Sequence, residues 1–153
     1  MDFSKRNLVV VVTALVLTAC STLSNLGYDQ ADPYAALERA SAQARQERKR
    51  ILVVAGGSWC RSCFFLNEFM VNNADISTPV DQNFVLLKLY VGPGNTNEKF
   101  FARLPEAAGY PHFWVLSERG ALLASQRTDV FEAGRSAYDK GKFLTFVDKW
   151  RQP

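Results

Sequence analysis

The sequence predicts an α/β domain in which one mixed, four-stranded sheet is flanked by helices, with an extra helix ahead of it. Three observations carry this. Short β-rich apolar runs at 51–55, 84–91 and 113–116 are separated by segments with helical spacing of apolar residues. Glu118-Arg119-Gly120 then leads to a further apolar run at 121–125, a hairpin signature. The order of elements, a leading helix followed by βα, βα and ββα, describes one layered sheet.

Each element has a local reason. Asp32-Pro33 pairs an N-cap residue with proline at the first helical position, and the helix runs to about Lys49 with Leu37, Ala40 and Ala44 as its apolar stripe. The charged run from Arg45 to Arg50 falls at the end of that helix, where cations complement the dipole and solvate an exposed face. Ile51 to Ala55 is a buried strand, Gly56-Gly57-Ser58 turns the chain, and a helix over 60–71 breaks at Asn72-Asn73. Ser77-Thr78-Pro79 starts a short helical turn. Phe84 to Val91 is apolar enough to be buried on both faces. Gly92-Pro93-Gly94-Asn95 forms a loop, and a helix spans about Glu98 to Leu104 before Pro105. The last helix, Lys142 to Trp150, sets Phe143, Phe146, Val147 and Trp150 on one face. Trp114 and Trp150 read as core. So does most of the Phe64-Phe65 pair, with one ring available to an apolar docking surface.

Composition limits the partners. A net charge of +3 on 153 residues, with no basic stripe, gives no reason to expect nucleic acid. The sequence has three cysteines and one histidine. Two thiolates and one histidine are too few for a closed zinc site, and no methionine or histidine cluster supports copper, so no metal is expected.

Trp59-Cys60-Arg61-Ser62-Cys63 is the stretch with the most chemistry in it. It follows a hydrophobic strand and opens a helix, which sets Cys60 where backbone N–H groups and the helix dipole favour negative charge. The thiolate is the form that attacks disulfides, and such a position can draw a cysteine pKa from about 8.5 down to about 3.5–7.5. Arg61 adds a positive charge nearby. Cys63, one helical turn on, lies close enough to close an intramolecular disulfide.

Residues 1–19 read as a leader. Lys5 and Arg6 precede about ten apolar residues, too short a run for a comfortable membrane span. Leu17-Thr18-Ala19-Cys20 resembles a bacterial lipobox, which implies cleavage before Cys20 and diacylglycerol on its sulfur. An ordinary signal peptide with a coincidental cysteine is the alternative. Ser21 after Cys20 implies the outer membrane in a Gram-negative host. With Cys20 lipidated, Cys60 and Cys63 are the two remaining thiols, and no odd cysteine is left in an oxidising compartment. Residues 20–31 would then be a lipidated tether and 32–153 the domain.

From about Asp32 to Trp150 the chain resembles the thioredoxin superfamily. Two marks carry the resemblance: the WCxxC after a strand, and Gly109-Tyr110-Pro111-His112-Phe113 just before the third strand. The helix before the first strand and the strand Phe84 to Val91 most resemble exported domains related to the electron-delivering domain of periplasmic disulfide-reducing transporters. The resemblance implies that Cys60 is the nucleophile and Cys63 the resolving cysteine, with Trp59 flanking them. It implies that Pro111 is the cis-proline beside the disulfide and that the backbone at Tyr110 pairs with an extended substrate. No cofactor is implied beyond the redox-active Cys60–Cys63 disulfide. The implied partners are exported proteins bearing thiols or disulfides, with a membrane electron donor if the direction is reductive.

The chain also departs from that pattern. Val54 stands where many members carry a buried acid that assists the resolving thiol. Lys88 aligns with a lysine that neighbours that acid, and without it reads as a surface-seeking strand-end residue; Glu68 and solvent are the other candidates for moving the proton. His112, directly after Pro111, reads as an outward-facing strand residue, the alternative being a place near the disulfide where it tunes Cys60 or makes a pH-dependent contact. Arg61-Ser62 between the cysteines matches neither the reducing nor the strongly oxidising pattern, and potentials of such pairs span about −270 to −120 mV. Two functions follow: a membrane-tethered thiol–disulfide oxidoreductase, weighted toward reduction, or a binding module of an envelope assembly in which Cys60–Cys63 is a structural clip.

Overall fold

The computed structural model describes residues 27–152. The leader, the lipobox with Cys20 and most of the tether lie outside them. In chain order the elements are α1 (Pro33–Glu47), β1 (Arg50–Gly56), α2 (Arg61–Val71), α3 (Ala74–Asn83), β2 (Phe84–Tyr90), α4 (Glu98–Phe101), β3 (His112–Leu116), β4 (Leu122–Arg127), a 3-10 turn at Asp129–Phe131, and α5 (Lys140–Lys149). The sheet order is β2-β1-β3-β4. β1 runs parallel to β2 and antiparallel to β3, and β3 pairs antiparallel with β4. Among the described residues no helix is long and apolar enough to cross a membrane.

Because side chains alternate along a strand, the central strand β1 feeds two cores. Ile51, Val53 and Ala55 pack with Val85, Leu87, Leu89, Trp114 and Leu116 beneath α1. Leu52 and Val54 face the other way, onto Cys63, Phe113, Phe131, Phe143 and Phe146. Phe143 is fully buried and makes ring contacts with Phe69, Phe113, Phe131 and Phe146 at centroid distances of 5.3–6.3 Å.

α1 starts as expected: the Asp32 side chain accepts from Tyr34 N–H, and Pro33 follows. Its buried stripe is Ala36, Ala40 and Ala44, small residues that let the helix lie close to the sheet, while Leu37 sits at the rim. Arg48 ends the helix in the left-handed region at φ 56°. Arg50 lies over the Trp150 ring, 5.6 Å from its centroid. Trp150 caps α5 and is half-buried, so it borders the core that holds Phe143, Phe146 and Val147.

Three expectations need correction. The short turn at 77–79 is a ten-residue helix, α3, with Pro79 inside it. Proline removes one backbone bond, but Ile76 and Val80, one turn apart, are both buried and hold the helix in place. The helix expected over 98–104 is only one turn, α4. Looser turns at Arg103 and Leu104 continue it, bonding to Phe100 and Phe101 carbonyls, before Pro105 turns the backbone away from helix. The segment read as tether is folded at its end. Tyr28 is buried, and Asp29 pairs along the free edge of β2 through Asp29 N–H to Lys88 O (2.9 Å) and Tyr90 N–H to Asp29 O (3.0 Å).

Phe143→Ala opens a cavity at the meeting point of four rings. It should cost about 3–5 kcal/mol in urea denaturation, the range for deleting a buried aromatic side chain.

Candidate active site

β1 ends at Gly56, and the chain turns through Gly57 into α2. Cys60 is the N-cap of α2: its Sγ accepts from Cys63 N–H at 3.1 Å, its carbonyl accepts from Phe64 N–H, and its own N–H donates to Gly57 O. Cys60 and Cys63 form a disulfide across a Cα–Cα distance of 5.2 Å. The two sulfurs are not equivalent. Cys63 is 1% exposed and packed among Val54 and Leu66, whereas Cys60 retains 6% exposure at the rim. An incoming thiol or disulfide therefore meets Cys60 first.

The Tyr110–Pro111 peptide bond is cis, and the Tyr110 carbonyl oxygen lies 3.6 Å from Cys60 Sγ. Thr128, itself buried, donates its hydroxyl to Pro111 O at 2.6 Å and ties this loop to the end of β4. Trp59 is half exposed. Its indole N–H donates to Val91 O at 2.7 Å, and its ring meets Tyr110 edge-on at 6.1 Å. That placement requires two glycines: a Cβ at Gly57 would fall 2.7 Å, and one at Gly92 2.1 Å, from Trp59 Nε1. An open, largely apolar groove of about 980 Å³ starts at Trp59 and Tyr110 and runs past Phe101, Leu104 and Pro105.

Comparison with known proteins places this arrangement. The thioredoxin-like family model matches residues 32–117. The chain belongs to that family. Several solved structures share the thioredoxin-like fold. A disulphide isomerase from Xylella fastidiosa Temecula1 superposes with TM-score 0.68 at 24% identity, over 82% of this chain and 96% of that one. The oxidised C-terminal domain of DsbD from Neisseria meningitidis gives 0.58 at 15% identity, over 78% and 97%. DsbH oxidoreductase gives 0.56 at 17% identity, over 95% and 93%. At these identities the likeness is one of fold. No curated protein matches the chain. A thioredoxin-like fold with a CxxC disulfide beside a cis-proline is the constellation of a thiol–disulfide oxidoreductase.

Around the thioredoxin-like centre, the residues singled out in sequence divide into two groups. Trp59, Cys60, Cys63, Tyr110 and Pro111 converge. Arg61 is exposed, with its guanidinium over the Phe65 ring 5.4 Å from the centroid. Ser62 contributes its carbonyl, which accepts from Tyr138 O–H at 3.3 Å. Phe64 is exposed rather than core, so it extends the apolar surface around Cys60, and Phe65 meets it edge-on. Among the described residues no group of three or more His, Cys, Asp or Glu side chains could hold a metal.

Two further expectations are overturned. Lys88 is not turned to the surface: it pairs in register with Val54, is half-buried, and donates Nζ to Asn67 Oδ1 of α2 at 2.5 Å. Burial holds its amine below the usual lysine range. His112 does not face outward either. It is buried against Trp114 (ring centroids 4.6 Å), with Nε2 2.8 Å from Ser125 Oγ, and Nδ1 has no partner among the described residues. Its alternation places it on the α1 side of the sheet, away from the disulfide core. Glu68 bonds Asn72 near the end of α2. Tyr28, Gly92, Thr128 and Tyr138 are parts of the site that sequence reasoning passed over. Gly92 alone had a signal, in its Gly-Pro-Gly loop. Burial, with the Glu132 charge adding to it, pushes the Tyr138 phenol up to about 12.

Burial, then the Arg127 charge, lowers the His112 pKa below its usual value, with Asp129 opposing. Between the lowered value and about 6.5 the unfolded chain binds more protons, so stability is full above about pH 6.5 and falls as pH drops toward the folded value. Urea midpoints at pH 7.5 and 5.5 should show this loss, and His112→Asn should flatten it.

Proposed function

We propose that this protein is a cell-envelope thiol–disulfide oxidoreductase acting on exported proteins, anchored by lipid on Cys20 and working in the reductive direction. The observation that carries the reading is Cys60, the less deeply buried of the two cysteines, at the N-terminus of α2 and 3.6 Å from the carbonyl of the residue before cis-Pro111. A thiolate at that position is stabilised by the Cys63 N–H and the helix dipole. Trp59, Tyr110 and Phe64 surround it with apolar surface on which an unfolded or extended segment can settle. The names of the fold neighbours, a disulphide isomerase and Dsb proteins, agree with this chemistry.

The reaction proceeds in two exchanges. Reduced Cys60, as thiolate, attacks one sulfur of a substrate disulfide; a Cys60–substrate disulfide forms and the other substrate sulfur leaves as thiolate. Cys63, as thiolate, then attacks Cys60 Sγ, closing Cys60–Cys63 and releasing the second substrate sulfur. Two electrons pass from the enzyme dithiol to the substrate, and both leaving thiolates take protons from solvent. A dithiol donor at the membrane returns the enzyme to its reduced form by the reverse exchanges. The reductive direction is favoured by the helix before β1 and by the β2 run, which resemble the electron-delivering branch of the family. The export leader and Cys20 support the location.

Cys63→Ser blocks the second exchange. It should accumulate covalent adducts with exported proteins that migrate on non-reducing gels, vanish with dithiothreitol, and disappear when Cys60→Ser is added. An absence of adducts under conditions that permit turnover would contradict the proposal.

A further inference from the structure

Cys63 must become a thiolate to resolve a mixed disulfide, yet it is 1% exposed. A charge in apolar surroundings is costly unless a polar group meets it. Among the described residues no aspartate or glutamate is buried, and the β1 residue facing this core beside the site is Val54. The fold instead brings a phenol. A Cβ on Gly56 would stand 2.6 Å from Cys63 Sγ and 2.8 Å from Tyr28 Oη, so sulfur and hydroxyl both border the space this glycine leaves open. Tyr28 is 2% exposed and shares the core cluster of both cysteines. Its place is fixed by the backbone pairing of Asp29 with Lys88 and Tyr90 on β2. Desolvation by burial, then the neighbouring Tyr138, raises the phenol's pKa above its usual value, so it remains a neutral O–H donor at working pH.

We propose that the Tyr28 hydroxyl donates a hydrogen bond to the Cys63 thiolate of the reduced protein and so promotes the resolving step. Tyr28 is thus a positioning residue for the exchange described above, and the inference rests on that reading. The other titratable groups around this core are Cys60, Tyr138, and Lys88 with its amine on Asn67. When Cys63 Sγ bonds to Cys60 Sγ, its negative charge passes to the departing substrate sulfur and the hydroxyl releases it. No proton leaves Tyr28.

The effect has a signature in pH. A hydrogen bond to a charged group lowers a thiol pKa by about 1–2. Thiolate fraction rises accordingly, and intrinsic nucleophilicity falls with a Brønsted slope of about 0.4–0.5, which leaves a net gain of about 3–10-fold below the pKa. Above it the sign reverses.

The test mixes the reduced chain carrying Cys20→Ser, which leaves Cys60 and Cys63 as its two thiols, with Ellman's reagent in a stopped-flow instrument. The first thionitrobenzoate released reports attack by Cys60, and the second reports resolution by Cys63. Tyr28→Phe should leave the first phase unchanged and slow the second about 3–10-fold at pH 7, with the deficit vanishing or inverting at alkaline pH. A second phase with the wild-type pH profile would overturn the inference while leaving the exchange reading intact. A Cys20→Ser chain with Tyr28 intact that releases only one thionitrobenzoate would sink the exchange reading itself. Should Tyr28→Phe fail to fold, 3-fluorotyrosine at position 28 keeps the volume and strengthens the donor. It should move the second phase's pH profile toward lower pH, and no movement would equally overturn the inference.

Discussion

The absence of side chains where β1 gives way to α2 is the constraint on which the site depends. Gly56 leaves the space that Cys63 Sγ and Tyr28 Oη both border, and Gly57 leaves the space that the Trp59 ring occupies. Gly92 likewise leaves room for that indole. Any Cβ at these three positions would lie within 3 Å of a sulfur, a phenol or an indole. These contacts let the chain leave a fully buried strand and present Cys60 at a helix N-terminus within one short turn. The cis Tyr110–Pro111 loop, held by Thr128, then closes the other side of Cys60.

The two cores serve different ends. On the α1 side, alanines allow a helix to lie flat on the sheet, and His112 is sealed between Trp114 and Ser125. On the other side, a dense set of phenylalanines from β3, the 3-10 turn and α5 supports α2, so the helix that carries both cysteines rests on a stiff aromatic layer. Apolar packing surrounds Cys63 almost completely, which makes its ionisation the energetically demanding step. Cys60 differs, with a backbone N–H on its sulfur and slightly more exposure, 6% against 1% for Cys63.

Where a feature was set by local rules, the sequence showed it. The Asp32-Pro33 start of α1, the runs that became β1, β2 and β3, the hairpin at Gly120, and Cys60 capping α2 all follow from adjacent residues. The cis bond at Pro111 followed from a motif whose order along the chain matched a known family. Features set by distant contacts were hidden. The burial of His112 depends on β4 bringing Ser125 alongside, thirteen residues away. α3 persists through Pro79 because Ile76 and Val80 find a core that spacing alone does not reveal. Lys88 turns inward because Asn67 on α2 faces it. Tyr28, in a segment that reads as a polar tether, reaches the redox centre only because Asp29 continues the sheet at the edge of β2.

The central claim is that Cys60–Cys63 cycles between disulfide and dithiol in the folded protein. Its reduction potential, measured by equilibrating a Cys20→Ser chain against glutathione and dithiothreitol buffers, tests this most directly. The account predicts reversible cycling with a potential between about −270 and −120 mV, the span of exchanging CxxC proteins, and a value toward the lower end for a reductase. A pair that resists reduction to below about −300 mV, as structural disulfides do, would contradict it and make the bond a clip.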